Sequence, residues 1–319
     1  MTESEMADRI LLVVDASNFE YVCIFSAVSK WEKKYADEAA QILSEHPSQA
    51  DQDNLPELLN VSSFRKVLNF VVQDKLEQIR VIVRKYHQAE LDSANGMDVV
   101  FALDGDLSKN FRKKLYPEYK AQREKMKQRF SIRHLKPYIQ DVIFKELNIE
   151  NAFGYKMISV DGCESDDIIA TIMTNYNGYM ARILISSDKD FLQLKDVYQY
   201  NCWGEKVERT IKDVVEEPVG RSEFLLWKII RGDLSDNIKN VFPKYGDKKS
   251  WLLVQDRDKL KKMLSENNDA TERFKLNSTL IDFRRIPKDY TDRILVEVEK
   301  KLNETPPLSE FNLDECIVI

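Results

Sequence analysis

A chain of 319 residues with 43% hydrophobic and 32% charged side chains can bury a sizeable core, which excludes a disordered or fibrous protein. The formal net charge of -6 excludes a uniformly basic nucleic-acid binder, and four cysteines without a CxxC spacing exclude a disulfide scaffold or zinc ribbon. Residues 1–9 are polar and acid-bearing and the apolar run behind them is short, so neither a signal peptide nor a membrane span is expected, and the cysteines read as reduced thiols of a cytoplasmic protein.

Residues 9–15 read as a buried strand, Ile10-Leu11-Leu12-Val13-Val14, that stops at Asp15. An amphipathic helix over about 19–35 follows, and the polar stretch 36–60 reads as a surface excursion. Phe64, Val67, Leu68, Val71, Ile79 and Ile82, spaced by threes and fours, predict a long helix over 62–86. A strand at 98–103 stops at Asp104. Beyond it come a basic segment, a helix over 135–147 and a strand over 155–160. Gly162-Cys163-Glu164-Ser165-Asp166-Asp167 opens a helix over 168–176, its acids suiting the positive end of the helix dipole. A strand at 182–187 runs into Asp188 and Asp190, and 197–207 reads as a strand pair turning at Gly204. From Ser222 the pattern is helical, broken at Gly232-Asp233, at 243–246 and at Pro287. Strands alternating with helices, then helices alone, predict an α/β fold: a mostly parallel sheet flanked by helices, followed by an α-helical part.

Nine acids, nearly all where a strand stops or a helix starts, stand out: Asp15, Asp104, Glu164, Asp166, Asp167, Asp188, Asp190, Asp233 and Asp236. Each pair alone is what helix capping produces. Jointly they exceed capping, because the ligand crevice of an open α/β sheet lies beyond the carboxyl ends of its strands. Acids gathered there repel one another unless a cation sits among them. With no His or Cys in the set, the fitting cation is hard, Mg²⁺ with Mn²⁺ as substitute, and two such ions suit phosphodiester chemistry.

Over 108–136 eleven Lys/Arg face two acids, a local charge of about +9 that leaves the remainder near -15. A solvated helical face is the plain meaning of such a run. Its position after Asp104 instead sets it over the acid rim, where Lys113, Lys114, Arg123 and Lys127 can neutralise phosphates and Tyr116 or Tyr119 can stack on a base. Residues 232–250 read as a turn between helices, with Lys244, Lys248 and Lys249 placed to meet a duplex backbone; an ordinary helical hairpin is the alternative. The three histidines read as surface or core residues.

In order and spacing, these blocks resemble the structure-specific 5′-nuclease (flap endonuclease) family, nearest its phage ribonuclease H and 5′-exonuclease branch. The residues that carry it are Leu12-Val13-Val14-Asp15, Phe101-Ala102-Leu103-Asp104, Phe111-Arg112, Tyr116-Pro117-Glu118-Tyr119-Lys120, 162–167, Ile185-Ser186-Ser187-Asp188-Lys189-Asp190, Gly232-Asp233-Leu234-Ser235-Asp236-Asn237-Ile238 and the late helix Leu280-Ile281-Asp282-Phe283. The resemblance implies a first ion held by Asp15, Asp104, Glu164, Asp166 and Asp188 with Asp167 beside them. A second would be held by Asp190, Asp233 and Asp236. It implies that Lys120 contacts the scissile phosphate and that Arg112 and Tyr119 belong to a helical arch passed by a single-stranded 5′ end.

The implied organisation is a nuclease domain over 1–215 with its arch over about 105–136, then a duplex-binding helical domain over 216–305. The latter would carry a helix–hairpin–helix at about 222–265, and 306–319 would form a tail. The implied substrate is double-stranded DNA or an RNA–DNA hybrid with a 5′ end or flap, cut by a monomer that removes primers in a phage-infected cell. The tail, with Phe311 and Leu313 among acids, is a candidate contact for a sliding clamp or single-strand-binding protein. One departure stands out: Pro243-Lys244-Tyr245-Gly246-Asp247-Lys248 has Lys244 where the family's hairpin has a glycine, which shifts the expected duplex contact toward lysine side chains. A PIN-type single-strand endoribonuclease and a non-catalytic junction-binding module are the alternatives. Asp233/Asp236 with the hairpin oppose the first, and the full acid set opposes the second.

Overall fold

The protein is described by a computed structural model over residues 6–45, 57–122, 131, 134–147 and 154–304. Five parallel strands form one sheet in the order β3-β2-β1-β4-β5: β1 (Ile10–Asp15), β2 (Met97–Leu103), β3 (Tyr155–Ser159), β4 (Ala181–Ile185) and β5 (Tyr198–Tyr200). Every residue of β1, β2 and β4 is buried, the near-continuous apolar run that a parallel sheet covered on both faces requires. The chain starts in the middle, winds outward to β3, then returns to the other side of β1. The order therefore reverses between β1 and β4, and a crevice opens there beyond their carboxyl ends. Val14 pairs with both Phe101 and Ile185, which brings the ends of three strands to one rim.

The helices of the sheet region are α1 (Ala16–Lys34), α2 (Ala36–Glu45), α3 (Ser62–Ser93), α4 (Phe111–Leu115), α5 (Leu135–Tyr138), α6 (Phe144–Glu146) and α7 (Ser165–Asn175). The remainder are α8 (Arg221–Arg231), α9 (Asp247–Gln255), α10 (Arg257–Ser265), α11 (Asn268–Ile281) and α12 (Lys288–Glu304). On one face α1 and α3 bury Phe19, Trp31 and Phe64 against Phe101. On the other, Ile168 and Ile172 of α7 pack with Ile294 and Val298 of α12. A smaller core of Ile230, Phe242, Leu253, Val254, Leu260 and Ala270 holds α8 to α11 together. By packing, α12 thus belongs with the sheet. Among the described residues no helix is long and apolar enough to cross a membrane.

Three local expectations are corrected. Residues 36–45 of the supposed surface excursion form α2, which buries Ala39; 46–56 lie outside the described residues. Of the strand pair, only β5 pairs as a strand, and Lys206 makes an isolated antiparallel bridge back to Tyr200. Helix α3 continues to Ser93 through a non-helical His87, whose ring meets the Tyr200 hydroxyl at 3.1 Å. Helices α5 and α6 are joined by a π-helical turn, Ile139–Ile143.

Candidate metal centre

Strand ends aim the first acids. Asp15 closes β1 and caps α1: one oxygen accepts from the Asn18 N–H (3.0 Å), the other from Ser186 Oγ (2.8 Å). Burial raises its pKa to about 6, and the nearby charges of Asp188 and Asp104 push the same way. Asp104 follows β2 and accepts from the Ser165 N–H at 2.9 Å and Ser17 Oγ at 2.7 Å. Burial pushes its pKa up, but these bonds and the charges of Lys136 and Lys120 hold it below the usual value.

Helix α7 supplies the next acids from its first turn. Glu164 stands at its N-cap, with one oxygen on Lys120 Nζ (2.5 Å) and the other on Tyr119 Oη (3.0 Å) and Arg112 (3.3 Å). Against desolvation, Lys120 and Arg112 keep it ionised. Asp166 is the opposite case: desolvation raises its pKa well above the usual value, Lys120 works against this, and Asp188 and Asp15 add to it. Asp188 follows β4 and accepts from the Asp190 N–H at 2.8 Å.

Asp15, Asp104, Glu164, Asp166 and Asp188, from four separate segments, line one cleft of about 370 Å³ together with Lys113, Lys120 and Lys136. A larger groove of about 990 Å³ between α7, α8, α11 and α12 contains none of the nine acids, whereas five of them line the smaller cleft. Among the described residues no three acid, His or Cys side chains are already drawn together at metal-ligand geometry. The donor set nonetheless fits a hard cation: all oxygen, acid-rich, open on one side, with burial first and neighbouring acids second holding Asp15 and Asp166 back from ionisation.

Asp190, Asp233 and Asp236 form a separate group. Asp190 and Asp233 share Lys228 of α8, which bonds Asp190 closely and stands 3.3 Å from Asp233. Asp233 also accepts the Ser235 N–H (2.8 Å) and hydroxyl (2.6 Å). This tight turn needs Gly232, whose φ is +71° and where a Cβ would stand 2.4 Å from the Ile238 carbonyl. Asp236 accepts from Tyr119 Oη at 3.2 Å, and its carbonyl takes the Lys120 N–H at 3.0 Å. Lys120 is held in a left-handed conformation, φ +56°, so its ammonium reaches back to Glu164 and Asp236.

Several expected roles change. Asp167 is fully buried, one oxygen on Arg112 (2.7 Å) and the other on the Glu164 N–H (3.1 Å), so it braces the helix start from behind the cleft. Arg112 is 2% exposed, tied to Asp167, Glu164 and the Leu280 carbonyl, and presents no surface to a passing strand. Tyr116 and Tyr119 are buried too, and the Tyr119 hydroxyl bonds Glu164 and Asp236. Lys113, Lys114, Lys244, Lys248 and Lys249 are exposed as expected, while Arg123 and Lys127 lie outside the described residues. At Lys244 the φ of +65° explains the family's glycine, since a side chain there is strained. Sequence reasoning missed Lys228. A lysine in line with Phe224, Leu225 and Ile229 on the buried face of α8 was the available signal.

The model of the 5′-3′ exonuclease N-terminal, resolvase-like domain matches residues 73–220. The 5′-3′ exonuclease of Buchnera aphidicola (from Acyrthosiphon pisum) is 32% identical over 150 residues, 46% of this chain and 49% of that protein. The DNA polymerase I of Caldicellulosiruptor bescii is 27% identical over 178 residues, 50% of this chain and 20% of that one. The chain thus spans about half the length of the 5′-3′ exonuclease and a fifth of the polymerase. Zinc-bound T5 5′-exonuclease superposes with a TM-score of 0.56 at 17% identity, over 95% of this chain and 100% of that one. Bacteriophage T5 flap endonuclease, solved as a pseudo-enzyme–product complex with DNA and metal ions, gives 0.52 at 16% identity over 92% and 99%. At such identities the likeness speaks for the fold. Taken with the matched exonuclease domain and the sequence relatives, it leads to one conclusion: over residues 73–220, a little under half of its length, the chain is similar to the 5′-3′ exonuclease N-terminal domain, on a fold like that of T5 5′-exonuclease.

Proposed function

We propose that this protein is a Mg²⁺-dependent, structure-specific 5′-nuclease that hydrolyses phosphodiesters near the 5′ ends or flaps of duplex DNA and RNA–DNA hybrids, and so removes primers. The observation that carries the reading is the meeting of Asp15, Asp104, Glu164, Asp166 and Asp188 in one cleft at the point where strand order reverses. These five would hold one ion; Asp190, Asp233 and Asp236 would hold a second. Bound there, the ions supply charge for the phosphate oxygens and lower the pKa of an attacking water.

The chain's own groups do the rest. Lys120, already at the cleft, exchanges Glu164 for the scissile phosphate, where negative charge grows in the transition state. Arg112 and Asp167 fix Glu164 and the start of α7. The exposed lysines 113 and 114 steer the strand on the arch side, and Lys244, Lys248 and Lys249 hold the duplex backbone at the hairpin. The test is cleavage of 5′-labelled flap, nicked RNA–DNA hybrid and single-strand substrates with Mg²⁺ against EDTA. Metal-dependent release of products from the 5′ side of the first two is expected. Cutting confined to the single strand favours the PIN-type alternative, and no cutting at all sinks the enzyme reading.

A further inference from the structure

The acid cleft continues onto a surface that belongs neither to the arch nor to the hairpin. Tyr21 lines the cleft and also a shallow groove of about 480 Å³ with Phe25, Ser29, Lys30 and Trp203. Lys30 in turn lines a groove of about 630 Å³ with Lys33, Lys34, Lys66 and Phe70. The three depressions are joined end to end through Tyr21 and Lys30. Tyr21 is 40% exposed, Phe25 60%, Trp203 57% and Phe70 59%.

These rings are not stray core residues. The buried face of α1 is Phe19, Cys23, Ile24, Ala27 and Trp31, and Tyr21 and Phe25 stand off it one turn apart, stacked at 6.2 Å and 15°. Trp203 is presented beyond β5 by a turn that Gly204 closes with φ +83°. Ammonium groups alternate with the rings: Lys136 lies 4.2 Å over Tyr21, Lys75 5.2 Å over Trp203 and Lys30 5.2 Å over Phe70. Asp74 takes part of Lys30's charge, at 3.8 Å. From Tyr21 to Lys33 the helix rises about 18 Å at 1.5 Å per residue. A purely apolar patch would suit a protein partner. Exposed rings interleaved with cations, opening from an acid cleft, suit bases and phosphates.

We propose that this stripe binds an unpaired strand of nucleic acid running to or from the acid cleft, with bases stacked on Tyr21, Phe25 and Trp203 and phosphates taken by Lys30, Lys33 and Lys66. The identity of the cleft as a nuclease centre rests on the reading above; the binding itself does not, and is measured with cleavage suppressed by EDTA. The probes are an oligothymidylate of roughly 12 nucleotides and a blunt duplex, titrated into the full chain with fluorescence anisotropy and intrinsic tryptophan emission as readouts.

Oligothymidylate should quench wild-type emission, and Trp203→Phe should remove most of that quenching. The Phe25→Ala/Trp203→Ala double variant, both positions exposed, should bind the single strand about tenfold more weakly or worse, while duplex affinity stays within about twofold. Lys30→Ala/Lys66→Ala should make the salt dependence of single-strand binding shallower. Unchanged single-strand affinity in the aromatic variant, or equal loss for single strand and duplex, overturns the proposal. So does sedimentation showing that the stripe joins two copies of the chain. If wild type cuts no substrate yet the aromatic variant loses single-strand binding, this inference stands and the nuclease reading falls.

Discussion

The two ends of the sheet each carry a knot of charge, and they are built oppositely. At the amino ends of the strands Asp98 is fully buried between Lys156 (2.9 Å) and Arg9 (2.6 Å), and it also accepts from Tyr179 Oη at 2.8 Å. At the carboxyl ends five acids share an open cleft with three lysines. The first knot has its acid paired with two cations of its own chain and is closed off from water, so a ligand has no way in. The second has more negative charge than the chain neutralises, and solvent access besides. Excess charge with access, rather than charge as such, separates a site from a brace.

The largest expected effect breaks this contrast from both ends. Asp166→Asn should lower the single-turnover rate by roughly three orders of magnitude or more while leaving the melting temperature equal or slightly higher, because it relieves repulsion. Asp98→Asn should do the reverse, costing on the order of 3–5 kcal/mol of stability as two buried cations lose their partner, with normal activity per folded molecule. Denaturant melts and single-turnover rates on the same preparations decide it; near wild-type cutting by Asp166→Asn would falsify the metal assignment.

Within the rim, Asp188→Asn should abolish cutting, whereas Asp236→Asn, in the separate group shared with Tyr119, should keep partial or substrate-selective activity. Rates on exonuclease and flap substrates across Mg²⁺ concentrations are the measurement, and equal, complete loss at both positions would merge the two groups into one. A smaller effect separates chemistry from binding. Lys120→Ala should slow the chemical step by roughly 10²-fold, about 2.7 kcal/mol, with Kd changed only a few fold. Lys127→Ala should weaken binding and flatten its salt dependence with near-normal chemistry. Parallel loss of affinity alone in both would remove Lys120 from catalysis.

The smallest prediction concerns pH. Glu20 is fully buried behind the rim, and desolvation lifts its pKa to about 7 despite Lys136 at 3.6 Å and a bond from Gln140. Its folded pKa lies above its unfolded one. The stability it contributes is therefore complete below about 4.5 and lost as pH rises through 7, a swing on the order of 2–3 kcal/mol. Wild type should thus gain stability between pH 8 and 5, and Glu20→Gln should flatten that part of the curve. A curve identical to wild type would rule Glu20 out as its cause.

The sheet and the acid rim were legible in the sequence because a buried parallel strand is an unbroken apolar run, and the acid behind it marks the carboxyl end. Helix α2 was not, since Asp37, Glu38, Gln41 and Ser44 give it a polar composition and Ala39 is a faint core signal. Arg112, Tyr116 and Tyr119 sit in a charge run that reads as solvated. Only the tertiary fold, bringing Leu280 and Glu164 to meet them, puts them inside. Lys228 was hidden by its helix: the pattern of α8 says that the position faces inward, but nothing local says that Asp190 and Asp233 wait there.

Lys120 and Lys228 give the two acid groups on-board counter-ions. A domain whose ligands repel until an ion arrives folds only with that ion, as zinc fingers do. Here each acid group has an ammonium partner on the chain itself, so on the function proposed above the fold should not wait for an ion, and an arriving cation would compete with a tethered amine for the same oxygens. Chelation should therefore stop cutting at once while leaving circular dichroism and the cooperative melt essentially in place, and restored Mg²⁺ should return activity without a refolding lag.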